Sequence, residues 1–114
     1  MLRKWYYLVR KELIILILDN DLEVDLVVEE EATINSIIIG NVSVKNNSSL
    51  QLYGTVTKNL DIESGSKAFV FGCVNGNITN NGELEIYGEV VGALIDHTGN
   101  AFISRKAVVG TNKE

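Results

Sequence analysis

The side chains best suited to catalysis in this sequence are His97, Cys73 and Ser104, each a potential base or nucleophile. Nucleophilic catalysis needs a nucleophile beside a base, and no motif such as G-x-S-x-G surrounds Ser104. His97 lies in the polar run 96–100, which predicts a solvated loop. No second cysteine or flanking basic residue would lower the pKa of Cys73. We therefore predict that the chain is not an enzyme.

Acidic residues occur at the spacing of a calcium-binding loop, but the pattern is incomplete. Residues 19, 21, 23, 25 and 30 take loop positions 1, 3, 5, 7 and 12, whereas Val24 stands where the sharp turn needs glycine. Acids alternating on the wet face of a strand, with Leu22, Val24 and Leu26 buried, explain the same residues more simply. We predict no metal site and no cofactor. The acids form a candidate patch for a partner: Asp19, Asp21, Glu23, Asp25, Glu29 and Glu30.

Length and charge bound the classes of protein that could position these groups. The chain has 114 residues, with 10 basic and 15 acidic residues, a net charge of -5 and no proline. This length predicts a single domain over residues 1–114. The negative charge opposes nucleic-acid binding, which depends on clustered Lys and Arg, and suits a basic protein partner.

Residues 1–20 combine basic residues with an apolar run at 13–18. A helix needs roughly 20 apolar residues to span a bilayer, and no small-residue cleavage site follows the run, so we predict neither a transmembrane segment nor a signal peptide. We expect a strand or short amphipathic helix that caps the core or packs on its side, and a cytoplasmic location. A peripheral membrane contact is disfavoured; it would use Arg3, Lys4, Trp5 and Tyr6.

A repeated pattern dominates the rest of the chain. The stretch YGTVTKNL (53–60) aligns with FGCVNGNI (71–78) and YGEVVGAL (87–94), with IGNVSVKN (39–46) and RKAVVGTN (105–112) as degenerate copies. The aligned valines are 14, 18, 16 and 18 residues apart: Val42, Val56, Val74, Val90 and Val108. Such self-similarity is typical of a solenoid, in which each coil covers the apolar face of the next.

We therefore predict an all-β protein, a β-helix or β-solenoid of about five short coils over residues 22–110. Corner glycines are expected at positions 54, 72, 76, 88 and 92, where a missing Cβ permits positive φ and close backbone approach. The alternative is an antiparallel meander or sandwich, because Asn75-Gly76 and Asn81-Gly82 are good hairpin signals. A meander gives no reason for the same pattern to recur at coil-length intervals.

Over residues 38–110 the sequence resembles the bactofilins, which are polymer-forming bacterial cytoskeletal proteins. The resemblance rests on three short stretches: Val74-Asn75-Gly76-Asn77-Ile78, Val90-Val91-Gly92-Ala93-Leu94 and Ala107-Val108-Val109-Gly110. It implies a right-handed β-helix that polymerises.

The predicted strand register also places apolar side chains outward. If Leu84, Ile86 and Val90 point inward, Tyr87 points outward, and equivalent positions form an outward stripe. The stripe comprises Ile37, Ile39, Tyr53, Phe69, Phe71, Tyr87 and Ile103. A continuous apolar stripe needs a cover, which could be the N-terminal segment, a second copy of the chain or a foreign partner.

Two functions follow from these features. The first is a bactofilin-like structural scaffold that self-associates through exposed coil ends or through the stripe, since unpaired strand edges template association. The alternative is a small acidic immunity or inhibitor protein that binds and neutralises a basic toxin or enzyme through the acidic patch.

Overall fold

The computed structural model describes residues 5–9 and 16–113, with side chains from residue 17 to residue 110. These residues form sixteen β-strands and no helix. The strands are β1 (Trp5–Val9), β2 (Leu16–Leu18), β3 (Val24–Val28), β4 (Ala32–Ile34), β5 (Ile37–Ile38), β6 (Val42–Val44), β7 (Ser49–Leu52), β8 (Thr55–Val56), β9 (Leu60–Ile62), β10 (Lys67–Val70), β11 (Cys73–Val74), β12 (Ile78–Asn80), β13 (Glu83–Ile86), β14 (Glu89–Asp96), β15 (Ala101–Ile103) and β16 (Val108–Lys113).

The strands stack as a β-solenoid of about five turns, as the repeat predicted. All the pairings between strands are parallel, which excludes the antiparallel meander. Face 1 is a six-stranded sheet of β2, β4, β7, β10, β13 and β15. A ten-stranded sheet forms the other two faces because β14 and β16 turn the corner between them. Face 2 holds β5, β8, β11 and the first part of β14, and face 3 holds β1, β3, β6, β9, β12 and the second part of β14.

The core consists of aliphatic columns that run along the solenoid axis. Alternation within each short strand turns every second side chain inward, and parallel pairing places equivalent inward residues above one another. The columns include Leu52, Val70 and Ile86 on face 1, Val56, Val74 and Val90 on face 2, and Leu60, Ile78 and Leu94 on face 3. All nine side chains are buried. One coil alone would expose its inward face, so burial couples each coil to its neighbours.

Two of the aligned valines belong to other columns than predicted. Val42 pairs with Leu60 on face 3, whereas Ile38 pairs with Val56. Val108 pairs with Glu89, so that Val109 is the partner of Val90. The Gly-x-Val pattern gave the wrong alignment for Val42, because Gly40 and Gly54 lie at different corners of the solenoid. Strand alternation fixes which residue points inward, and a glycine alone does not identify its corner.

The corner glycines are required by close approach of successive coils. A Cβ on Gly72 would lie 2.0 Å from the carbonyl oxygen of Gly54, and a Cβ on Gly88 would lie 2.0 Å from that of Gly72. Of the two roles expected for corner glycines, these positions show the close approach without a left-handed backbone. Positive φ occurs in a turn at Gly65, where φ is 85°.

The described part of residues 1–20 forms strands, one of the two predicted conformations. β1 pairs with β3 at one end of face 3, and β2 pairs with β4 at the same end of face 1. These strands therefore lengthen the coil stack at its N-terminal end. Residues 1–4 and 10–15, which include Arg3 and Lys4 of the disfavoured membrane contact, lie outside the described residues. Within the described ranges, no helix has the length and apolar character needed to cross a membrane.

Candidate association surfaces

Three exposed aromatic rings form a stacked ladder at the corner that follows face 1. Tyr53, Phe71 and Tyr87 come directly after β7, β10 and β13, whose register places them in one column. The ring centroids of Tyr53 and Phe71 are 4.8 Å apart, and those of Phe71 and Tyr87 are 5.2 Å apart. The planes differ by 10° and 9°, so the rings stack face to face along the axis. The predicted outward positions of these three residues are confirmed, whereas their use in association stays a prediction.

Two further aromatic residues extend the ladder on face 1. Phe69 is half-buried, with its ring centroid 6.5 Å from that of Phe71 and the ammonium of Lys67 5.7 Å from its own centroid. Phe102 is exposed, and its ring is 5.9 Å from that of Tyr87. Phe102 was not predicted to lie outward, because the predicted register placed Ile103 outward in the last coil.

The prediction that Ile103 belongs to the outward stripe is wrong. Ile103 pairs with Ile86 in a core column, is half-buried and packs against the core. The predicted position is wrong by one residue. Paired residues of β13 and β15 are one residue further apart in the sequence than paired residues of β10 and β13. The extra residue lies in the loop formed by residues 96–100. A one-residue shift exchanges the two sides of a strand, so Phe102 takes the outward position.

Ile37 and Ile39 are exposed, as predicted, but they do not continue the aromatic ladder. Ile37 pairs with Thr55 on face 2, and Ile39 follows the buried Ile38 on the same face. In the ladder column, the coil before Tyr53 holds Asn35. The stripe is therefore divided into an aromatic ladder and separate aliphatic side chains on face 2. The aligned repeats placed Ile39 with Tyr53 and Ile37 with Gln51, which the register contradicts.

The predicted acidic patch lies on the first fully described coil, and three of its members accept hydrogen bonds from the next coil. Asp19 Oδ1 accepts from Asn35 Nδ2 at 2.9 Å, and Asp21 Oδ1 accepts from the backbone N–H of Ile37 at 2.9 Å. Asp25 Oδ1 accepts from the backbone N–H of Asn41 at 3.0 Å. The other patch residues lie on the same coil: Glu23, which is exposed, and Glu29 and Glu30, which are half-buried. These acids concentrate negative charge on the first fully described coil. The three aspartates also link this coil to the next one through their hydrogen bonds.

Asparagines continue the Asp25 column through the middle of the solenoid. Asn41 Oδ1 accepts from the backbone N–H of Asn59 at 3.0 Å, and Asn59 Oδ1 accepts from that of Asn77 at 2.9 Å. Asn77 Oδ1 accepts from the backbone N–H of Ala93 at 2.8 Å. Each amide thus satisfies a corner N–H that the sheets leave unpaired. Sequence reasoning missed this asparagine ladder, although an asparagine directly precedes the inward aliphatic residue at each of these corners.

A polar pair replaces the aliphatic core column at its C-terminal end. Ile62 pairs with Asn80, which is fully buried and pairs in turn with Asp96. Asn80 Nδ2 donates to Asp96 Oδ1 at 3.0 Å, and Asn80 Oδ1 accepts from Gly82 N at 3.0 Å. Burial alone would raise the pKa of Asp96, but hydrogen bonds from Thr98, Asn80 and Gly99 outweigh burial and lower it. The network fixes the loop that carries His97.

The three potential catalytic groups have separate surroundings. His97 is exposed in the turn after β14, as its polar context predicted. Cys73 lies on face 2, where burial and then the nearby Glu89 carboxylate raise the pKa of its thiol. Ser104 Oγ accepts from the backbone N–H of Lys106 at 3.3 Å. Across the described chain no hydrogen bond joins any two of the three groups, and no cluster of His, Cys, Asp and Glu there has the arrangement of a metal site.

Both ends of the coil stack present strand edges. β1 and β2 are the outermost strands at the N-terminal end, and β15 and β16 are the outermost strands at the C-terminal end. Among residues 5–9 and 16–113, no further strand pairs with their outer edges. The end residues of the core are incompletely covered: Leu18, Leu22, Ala101, Ile103, Ala107 and Val109. Each end therefore combines unpaired backbone groups with partly exposed apolar side chains.

Comparison with known proteins adds no family to this description. No family model, curated protein or solved structure matches the chain.

Proposed function

We propose that this chain is a non-enzymatic structural protein of the cytoplasm that self-associates into a bactofilin-like scaffold. The observation that carries the proposal is the pair of open coil ends. A parallel solenoid satisfies the N–H and C=O groups of each strand by pairing with the coils on either side. Within residues 5–9 and 16–113, each terminal strand has a neighbour on one side only, and a second copy supplies strands of the same spacing and direction.

The apolar side chains at the ends support the same proposal. Leu18 at one end and Ile103 at the other lie in the same face 1 column and are half-buried, because no further coil of the described part of the chain covers them. Joining two ends would bury these residues, at about 25 cal/mol for each Å² of apolar surface removed from water. Hydrogen bonds between the paired strands would also fix the orientation of the two ends, which burial of apolar surface alone does not. Stacking at the ends would extend the same columns that hold one chain together.

The chemistry of the described side chains supports a role without catalysis. The raised pKa of Cys73 keeps its thiol protonated and weakly nucleophilic at neutral pH. His97 is exposed to solvent and has no hydrogen bond to Ser104 or Cys73. Catalysis by these groups would require a nucleophile and base in contact.

The aromatic ladder is a second surface through which copies could associate side by side. The contacts that its rings already make within one chain favour association through the coil ends instead. Its rings already stack on one another, and Tyr87 donates its hydroxyl hydrogen bond to Glu85 on the same strand face. Stacked aromatic rings on a sheet stabilise cross-strand packing within one chain. The ladder therefore has an intramolecular role that the terminal strand edges lack.

Sedimentation velocity combined with electron microscopy tests the proposal, using the native chain over a wide range of concentration. We expect species that grow with concentration and elongated particles. Val108→Glu should weaken association, because Val108 is 59% exposed on the last coil and a carboxylate would be desolvated at a coil junction. Val91→Glu is the matched control, since Val91 is 55% exposed on the same face but one coil further in. A native chain that stays monomeric at high concentration would refute the proposal, as would equal effects of the two substitutions.

A further inference from the structure

Two asparagines are followed directly by glycine, in the steps Asn75-Gly76 and Asn81-Gly82. In such a step the backbone nitrogen of glycine can attack the asparagine Cγ, because glycine has no Cβ to hinder the approach. A C–N bond forms to Cγ, and Nδ2 leaves as ammonia with the proton of the glycine N–H. Water then opens the cyclic imide to aspartate or isoaspartate, so the net reaction converts the amide and water to a carboxylic acid and ammonia.

The fold holds the attacking nitrogen of both steps in hydrogen bonds, but the acceptors differ. Gly76 N donates to the backbone carbonyl oxygen of Lys58 at 2.9 Å, which is a bond between two coils. Gly82 N donates to Oδ1 of the Asn80 side chain at 3.0 Å. A backbone acceptor is lost only when the coils separate, whereas a side-chain acceptor can rotate away while the sheets stay paired. The nitrogen of Gly82 is therefore released by a smaller opening of the structure.

Asn80 is itself held by a surface loop. Its Nδ2 donates to Asp96 Oδ1 at 3.0 Å and to Thr98 Oγ1 at 3.4 Å. Residues 97–100 of this loop are exposed. Exposed loops open at a lower free energy than paired strands, so movement of this loop is enough to free Asn80 and, with it, the N–H of Gly82.

The two asparagine side chains also differ in their own contacts. Asn75 Oδ1 accepts a hydrogen bond from Cys73 Sγ at 3.3 Å. Asn81 is exposed, and its amide makes no hydrogen bond within the described part of the chain. The glycine after it is required by the fold, since a Cβ on Gly82 would lie 2.2 Å from the carbonyl oxygen of Ser66. Close packing of the coils thus fixes a glycine next to a free asparagine amide.

We infer that Asn81 is a site of spontaneous deamidation in the folded chain, with Asn80 as the positioning residue that slows the reaction by holding the N–H of Gly82. Asn75 keeps its amide until the coils open. Deamidation replaces a neutral amide with a carboxylate at the corner between faces 3 and 1. This inference does not depend on the proposed self-association, because every group involved belongs to one copy of the chain.

Incubation of the dilute native chain at mildly alkaline pH tests the inference, with peptide fragmentation mass spectrometry to locate each deamidated asparagine. We expect product at Asn81 before Asn75 in the folded chain. In urea the two sites should react at similar rates, because the difference comes from the fold. Asn75 modified first, or both sites modified at equal rates in the folded chain, would overturn the inference.

Asn80→Ile tests the positioning role, since isoleucine removes the acceptor and continues the buried column that contains Ile62. The rate at Asn81 should rise about fivefold, the factor that corresponds to about 1 kcal/mol for the released hydrogen bond. Asn75 is the internal control, and its rate should not change. An unchanged rate at Asn81, or an equal rise at both sites, would contradict the role of Asn80.

Amide hydrogen exchange of the native chain provides a test that needs no variant. The N–H of Gly82 should exchange faster than the N–H of Gly76, because only the latter donates to a backbone acceptor in another coil. If Asn80→Ile does not fold, as judged by circular dichroism, this comparison decides the point. Exchange at Gly82 that is as slow as at Gly76 would overturn the inference.

Discussion

Removing one rung of the asparagine ladder tests how the coils are joined at a corner. In Asn59→Ala, the backbone N–H of Asn77 loses the Oδ1 acceptor that lies 2.9 Å away. The backbone N–H of Asn59 keeps its own bond to Asn41 Oδ1 at 3.0 Å. The substitution therefore deletes one hydrogen bond at an exposed corner. A typical net contribution is about 1 kcal/mol, within a range of about 0.5 to 1.5 kcal/mol.

The assay is thermal unfolding followed by circular dichroism, at a protein concentration low enough to exclude assembly, since association would add its own stabilisation. A loss of about 1 kcal/mol lowers Tm by roughly 4 °C for a domain of this size. Asn59→Asp should restore most of the loss, because Asp25 already accepts the equivalent bond from Asn41 N at 3.0 Å. Asn81→Ala, at an exposed asparagine outside the ladder, should change the free energy of unfolding by less than about 0.5 kcal/mol.

Two results would refute this reasoning. If Asn59→Ala unfolds at the same temperature as Asn81→Ala, the amide rung contributes nothing to the stack. If Asn59→Asp is as unstable as Asn59→Ala, the acceptor oxygen is not what stabilises the corner.

Three further substitutions probe the core, the polar end of the stack and the alternative function. Val74→Asp should prevent folding because Val74 is fully buried, whereas Phe71→Asp should leave a folded chain with a lower Tm. Circular dichroism distinguishes the two outcomes, and equal effects of the two substitutions would contradict the register. Asp96→Asn should be less stable than the native chain at neutral pH, and the difference should disappear as pH falls below the ordinary carboxyl pKa of 3.8, because a lowered folded pKa stabilises only the ionised state. If the chain instead neutralises a basic protein, Glu29→Lys/Glu30→Lys should abolish a one-to-one complex with the product of a neighbouring gene in pull-down and calorimetry; unchanged binding would exclude this acidic site.

Much of the fold could be predicted from the sequence because the coil repeat and the strand alternation agree. Val56, Val74 and Val90 each stand at an inward position at coil-length intervals, and these valines form one column. The same agreement predicted the outward position of Tyr87 and Phe71. Where the coil length stays regular, one repeat predicts the next.

The errors have two causes. Val42 was aligned with Val56 although it lies at a different corner, where it pairs with Leu60. Val108 was aligned with Val90 in place of Val109 because the last coil is longer than the central coils. Ile103 and Phe102 exchanged roles for the same reason, since a shift of one residue reverses the side of the strand. Alternation within a strand of three residues is too short to correct such a shift from sequence alone.

The asparagine ladder escaped the sequence analysis for a different reason. Asn75-Gly76 and Asn81-Gly82 attracted attention as turn signals, whereas Asn59 and Asn77 carry the contacts between coils. An asparagine at a turn has several common roles, and only the stacking of coils shows that its oxygen faces the next backbone N–H.

The direction of strand stacking within an assembly tests the central proposal most directly. X-ray fibre diffraction of aligned assemblies should show the strand spacing of about 4.7 to 4.9 Å along the assembly axis, because end-to-end stacking makes the solenoid axis and the assembly axis the same. The same reflection perpendicular to the assembly axis would show side-by-side packing and contradict association through the coil ends.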